Sequence, residues 1–508
     1  MALVEAQPAY KIYAFDRGWR IIRYVTENLF KRTDIAARWW FNKKNDVLVW
    51  GTLKGTFIKY WCYVIVVGMV IAGCIQYIMA MLMAVLFVIV QSLLLSLWAA
   101  LSLLIIGLLF VGTFIYSRFY RIFFRCTDCH KEMDIPTFIC PACATKHTRL
   151  WPSVYGIFAH RCKTCETPLP TQRLTIPGLP AMTKRDKLVR ICPHCGTQMN
   201  ADIGTGTNVH IPIIGGPSAG KSNYIVMATK GFKELYESVY HYSIAFTDTK
   251  HEQDYRESVY RLSSGRELVK TPQVIAHAFN LKIQAPRAQV PKLAYIYDVA
   301  GEAYNTSENT QMQEYYKYIN GIVFVIDPFA IADYVYSHQV DVMRYQALIR
   351  PSSLDVMHAY ERMFQMFENS VGLRRGRRFP HPIAIVITKV DALNLEQEIG
   401  SNAARTLIAQ NAASSEEEAI NTLVRSFLMR YGLDHFVRDV EMQFSRVRYF
   451  SCSALGRMPD PVDSRTFLPV RVIEPLLWLL SSAKAIPPMK KVEATLPMPQ
   501  VMPPQQMT

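Results

Sequence analysis

The sequence predicts an α/β fold with a mostly parallel β-sheet, preceded by a transmembrane pair of helices and small cysteine-rich modules. Three observations support this prediction. From about residue 208 onward, short apolar segments alternate with helical stretches, as in parallel sheets covered by helices on both faces. Residues 60–117 form a run of 58 residues without Asp, Glu, Lys, Arg or His, and about 20 apolar residues suffice to cross a bilayer as a helix. Four C-x-x-C pairs lie between these two regions.

Length and composition set the expected division of the chain. At 508 residues the chain is long enough for two or three domains, and its formal net charge is +15. The composition changes along the chain and predicts five successive parts. They are a basic juxtamembrane segment (1–55), a transmembrane hairpin (56–117), a region with two cysteine-rich modules (118–207), an α/β domain (208–486) and a disordered tail rich in Pro, Met and Gln (487–508).

The basic segment interleaves cationic and aromatic or aliphatic side chains, as in Arg20 and Arg23 beside Trp19 and Ile22. One interpretation is a helix that lies in the membrane interface, with its cationic face toward lipid headgroups. The other interpretation is an ordinary helix on a protein surface. The sequence favours neither.

Positive charges flank the uncharged run on both sides. Positive flanks mark the cytoplasmic side of a membrane segment, so both ends are expected in the cytoplasm and the number of crossings should be even. Two long helices with a turn near residues 79–83 meet this requirement, whereas a third crossing fits the length but violates it. We expect no signal peptide, because no cleavage site follows the first apolar run. The flanking residues are Lys43, Lys44, Lys54, Lys59, Arg118, Arg121 and Arg125.

Eight cysteines in the cysteine-rich region form four C-x-x-C pairs. Two residues between cysteines let both thiolates face one Zn²⁺, and a second pair completes the tetrahedron. The pattern therefore predicts two structural zinc sites with four cysteines each, and disulfides are not expected in a reducing cytoplasm. Sequential pairing is our first assignment, and a nested arrangement that joins the second and third pairs is the alternative. The pairs are Cys126/Cys129, Cys140/Cys143, Cys162/Cys165 and Cys192/Cys195.

Other residues of this region are weaker candidates for function. Its histidines are spare zinc ligands, since the cysteines already complete both sites. Its basic residues would suit nucleic acid, but no pattern of stacking aromatic residues accompanies them. We therefore favour a rigid spacer and do not expect nucleic acid as a partner. The histidines are His130, His147, His160 and His194.

The α/β domain contains six predicted strands and four predicted helices. The strands are short apolar runs, and the helices show apolar residues at helical spacing. The predicted strands are 209–214, 273–283, 293–298, 321–327, 383–388 and 448–451, and the predicted helices are 222–230, 252–263, 355–370 and 416–429.

The first strand ends in the pattern G-x-x-x-x-G-K-S. Gly215 and Gly220 allow backbone angles that turn successive N–H groups around a phosphate. Lys221 would reach the β- and γ-phosphates, and the Ser222 hydroxyl would bind Mg²⁺. The following helix points its positive N-terminus at the same anion. The pattern predicts a nucleotide site whose loop comprises Gly215, Gly216, Pro217, Ser218, Ala219, Gly220, Lys221, Ser222 and Asn223.

A second motif, Asp298-x-x-Gly301, follows the strand 293–298. The strand would deliver the Asp298 carboxylate beside the phosphates, where it holds Mg²⁺ through water. The Gly301 N–H would meet the γ-phosphate. Because that hydrogen bond forms only when the γ-phosphate is present, the following loop can act as a switch.

Two further strand ends point to the base. In the T-K-x-D pattern, the Asp391 carboxylate can accept from guanine N1–H and the exocyclic amine, a pair of donors that adenine does not offer. Thr388 and Lys389 precede it, and the stem of Lys389 can lie over the base. The last strand ends in Ser453-Ala454-Leu455, where the Ala454 N–H would meet guanine O6. Four motifs in this order, each at a strand end, indicate a guanine nucleotide.

On these motifs the chain resembles GTPases of the Ras-like, translation-factor-related class, over about residues 208–485. The resemblance implies that 208–486 is a P-loop GTPase domain that binds GTP and GDP with Mg²⁺ and signals to a protein effector or activator. The membrane hairpin and zinc ribbons ahead of it resemble the bacterial double-GTPase group of conflict-associated GTPases. This resemblance implies an integral protein of the bacterial inner membrane, with its N-terminus and GTPase domain in the cytoplasm.

The family also has a switch threonine that binds Mg²⁺ just ahead of the second strand. Thr271 fits that position, and Thr247 and Thr249 are the alternatives. A plain loop threonine is the remaining interpretation. The expected Mg²⁺ ligands are therefore Ser222, Thr271 and Asp298.

The expected catalytic residues are Lys221, Gly301 and Glu302. Glu302 departs from the family, because Ras-like enzymes usually have a glutamine there that orients the attacking water. A carboxylate can orient water but repels the γ-phosphate. Hydrolysis is therefore expected to be slow, or to use another residue or an arginine from a partner.

Two other functions stay open at this point. A P-loop ATPase would keep Lys221 and Ser222 but would make 388–391 a coincidental strand end. A nucleotide-gated membrane scaffold would bind GTP and barely hydrolyse it, and Glu302 favours this alternative.

Overall fold

The computed structural model divides the chain into two compact units, one of residues 1–119 and 134–201 and the other of residues 120–133 and 202–508. The described residues are 8–53, 55–119, 122, 124–126, 129, 131–171, 185–200, 202–268, 278–286, 288, 290–298, 319–371, 378–459 and 465–487.

Two long helices dominate the first unit. A 3₁₀ turn, Tyr13–Phe15, leads into α1, Arg17–Leu53, and α2 runs over Thr56–Phe119. The basic segment thus forms a helix, and its charged side chains, such as Arg20 and Arg23, are exposed. α1 packs against α2 in the opposite direction, and Trp40 and Gln76 are joined by a hydrogen bond of 2.6 Å.

The two helices contact each other at an eleven-residue interval. Cys62, Gly73, Ala84 and Leu95 are buried in α2, and each lies eleven residues from the next. An eleven-residue repeat corresponds to about 3.67 residues per turn, close to the period of a straight helix. The same faces therefore stay in contact over several turns. The contacting pairs are Gly18 with Leu95, Trp40 with Gly73, and Gly51 with Cys62.

The predicted turn near residues 79–83 is absent, because α2 continues through it. Residues 74–106 contain no Gly and no Pro, so nothing in the local sequence ends the helix. A helix of 64 residues is about 96 Å long, whereas a bilayer core is about 30 Å thick. By length and composition α2 can cross a membrane, but it is one helix and not the predicted hairpin.

Eight short strands form hairpins in the cysteine-rich region. β1 pairs with β2, β5 pairs with β6, and a four-stranded antiparallel sheet has the order β4-β3-β7-β8. Each hairpin turn holds one C-x-x-C pair. The strands are β1 Phe124–Arg125, β2 Glu132–Met133, β3 Thr137–Ile139, β4 Lys146–His147, β5 Ala159–Arg161, β6 Pro168–Pro170, β7 Arg190–Ile191 and β8 Gln198–Met199.

A seven-stranded sheet of order β10-β11-β12-β9-β13-β14-β15 forms the centre of the second unit. The four pairings from β12 to β15 are parallel, and the two at the other edge are antiparallel. The strands are β9 Thr207–Gly215, β10 Ser243–Phe246, β11 Ala278–Gln284, β12 Lys292–Asp298, β13 Ile322–Ile326, β14 Ile383–Ile387 and β15 Val447–Ser451.

Helices cover both faces of this sheet, so the central strands are apolar on both faces. On β13, Phe324 belongs to one hydrophobic cluster and Val325 to the other. The helices are α3 Lys221–Ser238, α4 Thr249–Ser263, α5 Ala332–Ser337, α6 Gln339–Ile349, α7 Val356–Val371, α8 Leu395–Ile399, α9 Ser401–Ala409, α10 Glu416–Arg430, α11 Asp434–Gln443 and α12 Glu474–Ser482.

All six predicted strands and all four predicted helices coincide with observed elements. The strand predicted at 273–283 is described only from residue 278. The sequence did not predict β10 or the helices α5, α6, α8, α9, α11 and α12. The parallel strands end at one edge of the sheet, and the described residues of the four motifs lie there.

Candidate functional site

The phosphate-binding loop connects β9 to α3 and places Lys221 at the first position of the helix. Gly220 precedes it with φ +86°, and Ser218 has φ +59°. Left-handed positions of this kind turn backbone N–H groups toward an anion. The Lys221 ammonium donates to the carbonyl oxygens of Gly215 and Gly216 at 3.0 and 2.9 Å. The loop is therefore closed around a positively charged helix N-terminus.

Two glycines of the loop are required by close packing. A Cβ at Gly215 would lie 2.4 Å from the carbonyl oxygen of Val325, and a Cβ at Gly216 would lie 2.3 Å from the Ser352 hydroxyl oxygen. Both distances are far below van der Waals contact. The loop therefore packs directly on β13 and on the segment that follows α6.

Two of the three residues predicted to hold Mg²⁺, Ser222 and Asp298, fit that ion. The Ser222 hydroxyl donates to Asp298 Oδ2 at 2.9 Å. The other carboxylate oxygen, Asp298 Oδ1, is buried and finds no hydrogen-bond partner among the described residues. Hydroxyl and carboxylate oxygens are the ligands that Mg²⁺ prefers. The pair thus offers a cation or its bound water an acceptor that is otherwise unsatisfied.

Thr388 ties the base motif to the phosphate-binding loop. Its hydroxyl donates to the carbonyl oxygen of Ala219 at 2.8 Å and lies 3.3 Å from that of Ile326. Its own N–H donates to the Ile326 carbonyl at 3.1 Å. The ends of β13 and β14 and the loop are therefore held in one arrangement, although 169 residues separate Thr388 from Ala219.

The Lys389 ammonium forms a buried ion pair with Asp327 at 2.7 Å. It also donates to the carbonyl oxygens of Ile349 and Arg350 at 3.0 and 3.1 Å. Asp327 Oδ2 also accepts a hydrogen bond from the Ser352 N–H at 2.8 Å. One carboxylate thus joins the base motif to the segment that packs against the phosphate-binding loop.

Asp391 lies beside the last strand end. Burial raises the pKa of its carboxyl above the usual value, and a hydrogen bond from the Ser453 hydroxyl and the charge of Lys389 act in the opposite direction. Ser453 Oγ also accepts from the Gly456 N–H at 2.7 Å. A half-buried carboxylate with a fixed orientation can select a partner with two adjacent N–H donors.

The arrangement can be compared with known proteins. A family model described as Double-GTPase 2 matches residues 209–453, which run from the third residue of β9 to the serine of the last motif. Residues 209–453 are a double-GTPase domain. The protein is therefore a GTPase, an enzyme that hydrolyses GTP, and the double-GTPase domain contains all four sequence motifs or their first residues.

Two solved structures are similar to this chain. The ADP-ribosylation factor-like GTP-binding protein, small COPII coat GTPase SAR1, of Encephalitozoon cuniculi in complex with GDP shares 14% identity, covers 54% of this chain and 80% of its own, and gives a TM-score of 0.23. The S. cerevisiae Ski7 GTPase-like domain bound to GTP shares 12% identity, covers 56% and 51%, and gives a TM-score of 0.27. No curated protein matches. The assignment rests on the family match.

The structure brings most of the predicted site residues of the double-GTPase domain to one edge of the sheet. Thr271, Gly301 and Glu302 lie outside the described residues. Asn223 follows Ser222 in α3, and Leu455 follows Ala454 in the turn after β15. The residues at this edge are Gly215, Gly216, Pro217, Ser218, Ala219, Gly220, Lys221, Ser222, Asp298, Thr388, Lys389, Asp391, Ser453 and Ala454.

Sequence reasoning missed Asp327 and Ser352. A signal for Asp327 was present, because it ends an apolar strand as Asp298 does. Ser352 carries no such signal, since it lies in a connection after a helix that the sequence did not predict. Its role depends on packing between segments that are distant in the chain.

Four cysteines of the first unit form a group that suits a metal ion, and this group is the one that the nested alternative predicts. It consists of Cys140, Cys143, Cys162 and Cys165. The nested arrangement leaves Cys126, Cys129, Cys192 and Cys195 for the other predicted site. The sequential pairing was therefore wrong. Spacing along the chain does not determine the pairing. The turn between β3 and β4 meets the turn between β5 and β6, although these two hairpins belong to different sheets.

The first group has the geometry of a zinc site. Sγ of Cys140 lies 3.5 Å from that of Cys165, and Sγ of Cys143 lies 3.6 Å from that of Cys162. A disulfide requires about 2.05 Å, whereas four sulfurs about 2.3 Å from a tetrahedral zinc lie about 3.8 Å apart. The four thiols are thus too far apart for disulfides and close to the zinc spacing.

Three of the cysteine pairs extend to the pattern C-x-x-C-x-T, which the sequence predictions did not use. Hydrogen bonds from the Thr145 hydroxyl and backbone lower the pKa of Cys143, and those of Thr167 do the same for Cys165. The hydroxyl oxygens lie 3.1 and 3.2 Å from the sulfurs. Burial raises the pKa of Cys140 to about 11. The threonines favour the thiolate that zinc binds.

Proposed function

We propose that this protein is a membrane-anchored GTPase that binds and hydrolyses GTP with Mg²⁺ and acts as a molecular switch. The observation that carries the proposal is the junction at the sheet edge, where the Thr388 hydroxyl donates to Ala219 of the phosphate-binding loop. This bond joins the predicted guanine-recognition motif to the predicted phosphate site. A single nucleotide can therefore contact both.

Each predicted site residue of the double-GTPase domain has its own role in the proposed function. Lys221 and the loop N–H groups stabilise negative charge on the phosphates. Ser222 and Asp298 hold Mg²⁺, with Thr271 as the third protein ligand; the ion neutralises phosphate charge when bound. Asp391 accepts from guanine N1–H and the exocyclic amine.

The remaining roles concern the γ-phosphate and the base edge. Gly301 donates its N–H to the γ-phosphate, and Glu302 orients water. Because a carboxylate repels that phosphate, hydrolysis is slow or is stimulated by a protein partner. The Ala454 N–H donates to guanine O6.

The membrane proposal rests on α2. Its apolar length exceeds what one crossing needs, and by length and composition it can cross a membrane. Because GTP is a cytoplasmic nucleotide, the proposal places the double-GTPase domain on the cytoplasmic face of a bacterial inner membrane. The positive charges that follow the apolar run, Arg118, Arg121 and Arg125, agree with a cytoplasmic position of this end of α2.

We propose zinc as the metal of both cysteine groups, with a structural role. All ligands are cysteines, which is typical of closed structural sites. The proposed division of the chain follows its composition. In it, the cysteine-rich modules (118–207) form a rigid spacer between the apolar segment (56–117) and the α/β domain (208–486). The segments 1–55 and 487–508 complete that division.

The experiment that tests the proposed function is nucleotide binding and phosphate release by the full-length protein in detergent. Wild-type protein is expected to bind GTP and GDP more tightly than ATP in the presence of Mg²⁺ and to release phosphate from GTP. Lys221→Ala should abolish binding, because it removes the ammonium of the loop. Lys230→Ala is the matched control, since Lys230 lies further along α3 and pairs only weakly with Glu234, at 3.9 Å.

The outcomes also separate the alternatives. Equal binding of ATP and GTP would contradict the guanine role of Asp391 and favour a P-loop ATPase. Tight GTP binding without phosphate release, even with a cell extract as a source of activator, would favour the nucleotide-gated scaffold suggested by Glu302.

A further inference from the structure

The segment from Thr466 to Val472 doubles back along the turn that carries Ala454. Ser453 and Val470 exchange two backbone hydrogen bonds, of 3.0 and 2.8 Å, and the Leu468 N–H donates to the Leu455 carbonyl at 3.1 Å. Gly456 has φ +72°, and a Cβ there would lie 1.8 Å from the Leu468 carbonyl oxygen. The two stretches therefore approach as closely as backbone allows.

Arg471 lies near the end of this returning segment, and three nitrogens of its side chain donate hydrogen bonds. Its Nε donates to the Ser451 carbonyl at 3.1 Å, its Nη2 to the Ser451 hydroxyl at 2.8 Å, and its Nη1 to the Ser401 hydroxyl at 2.9 Å. The Ser451 hydroxyl in turn donates a hydrogen bond to the Ile399 carbonyl at 2.6 Å. The guanidinium thus bridges the end of β15 and the start of α9.

These two ends carry the two proposed guanine contacts. Ser401 lies ten residues after Asp391, on the segment that contains α8, and Ser451 lies three residues before Ala454. The Arg471 side chain contacts both segments at once. A rigid planar fork with several donors suits such a bridge better than a flexible ammonium.

The position of Arg471 is costly to maintain. Its φ is +53°, a left-handed conformation that disfavours a residue with a Cβ. Its side chain is only 7% exposed, and the nearest oxygen of Glu416 lies 3.8 Å from Nη1. Removing a guanidinium from water is unfavourable even with a carboxylate at this distance. The three hydrogen bonds to the base-recognition segments offset this unfavourable free energy.

We propose that Arg471 is a positioning residue for guanine recognition, which fixes the Ala454 N–H and the Asp391 carboxylate at the spacing of the guanine edge. This inference rests on the proposed function, because it assigns a role within the same nucleotide site. It adds a specificity-determining residue beyond the end of the matched family region, which stops at residue 453.

The test is calorimetric binding of GDP, GTP and ATP by the full-length protein, with Arg471→Ala and Arg471→Gly. Both variants are expected to bind GDP and GTP about tenfold more weakly, by the same factor for each, because hydrogen bonds from a charged group are lost. ATP affinity and the rate of hydrolysis at saturating GTP should not change. Arg471→Gly keeps the test valid if the alanine variant folds poorly, since glycine relieves the left-handed φ.

Arg425→Ala is the matched control, because Arg425 makes a two-pronged pair with Glu441 at 2.7 and 3.1 Å that joins α10 to α11. It should lower the melting temperature and leave the GDP affinity unchanged. If Arg471 has a purely structural role, its variants should behave like this control, with a smaller fraction of protein that binds GDP and an unchanged Kd. That result would overturn the inference. GDP affinity of Arg471→Gly within twofold of wild type would also overturn it. A wild-type protein without guanine preference would overturn the proposed function itself.

Discussion

At the scale of single residues, Asp327 is a buried carboxylate that joins segments of the proposed nucleotide site. Its side chain is fully buried and that of Lys389 is 20% exposed. It accepts from the Lys389 ammonium and from the backbone of Ser352. Breaking such a pair leaves an ammonium without its counter-charge.

We therefore expect Asp327→Asn to lower the free energy of unfolding by about 3 kcal/mol and to weaken GTP binding. Urea unfolding of the full-length protein, followed at the double-GTPase domain, measures the first effect, and calorimetry measures the second. Asp341→Asn, at an exposed position of α6, is the control and should change neither. Unaltered stability of Asp327→Asn would show that the ion pair does not organise the site.

A second prediction at this scale concerns pH. Burial raises the pKa of Glu474 to about 7, helped by Glu416 and Glu417 and opposed by Arg471 and Arg448. The folded state thus holds the proton more tightly than the unfolded state, whose carboxyl titrates near pH 4.5. The stabilisation from this group is complete below about pH 4.5 and is lost as pH rises through about 7.

Glu474→Gln should remove this loss. The melting temperature of the wild type, relative to that of the variant, is expected to fall between pH 5 and pH 8, by the equivalent of about 1 kcal/mol or more. Thermal unfolding of both proteins in matched buffers measures it. Parallel pH profiles for the two proteins would contradict the assigned pKa.

At the scale of elements, buried strands were predictable and the connections between them were not. β13 and β14 are continuous apolar runs, because helices cover both of their faces, and such runs are visible in a sequence. α5 and α6 have short or irregular apolar patterns and stay hidden. The prediction of a turn within α2 was wrong because a long uncharged apolar run does not mark where a helix ends.

The nested cysteine arrangement gives a prediction about zinc content. Wild-type protein should contain two zinc ions per chain, and Cys140→Ser and Cys162→Ser should each contain one. The double variant should also contain one, because both cysteines belong to the same group. Elemental analysis of purified protein measures the ratio. Loss of both ions in the double variant would restore the sequential pairing.

The register of α1 on α2 can be tested by a disulfide. A Cβ at Gly51 would lie 2.8 Å from the Cβ of Cys62, and a disulfide needs about 3.8 Å, so Gly51→Cys should cross-link to Cys62 after a shift of about 1 Å. Thr52→Cys, which is exposed on the next position of α1, is the control and should not. Mass spectrometry of the oxidised, protease-treated protein identifies the linked peptides. No cross-link at position 51 would contradict the eleven-residue register.

At the scale of the whole molecule, the position of the four motifs at strand ends was predictable because each is a short pattern that follows an apolar strand. The phosphate-binding loop, Asp298 and the T-K-x-D motif lie far apart in sequence, yet each follows a parallel strand that ends at the same edge. The supporting residues were not predictable, since Asp327, Ser352 and Arg471 act through contacts that only the folded chain brings together. The family match gives the class of enzyme, and we propose that the base specificity depends on Asp391.

Asp391→Asn tests whether the Asp391 carboxylate selects guanine. An asparagine offers an N–H where guanine needs an acceptor, so GTP affinity should fall by about 30-fold or more, which corresponds to about 2 kcal/mol. Xanthosine triphosphate has a carbonyl at that position and should bind the variant more tightly than the wild type. Competition between the two nucleotides on full-length protein measures both changes. An unchanged preference for GTP over the xanthosine nucleotide would contradict the account, because Asp391 would then not contact the base.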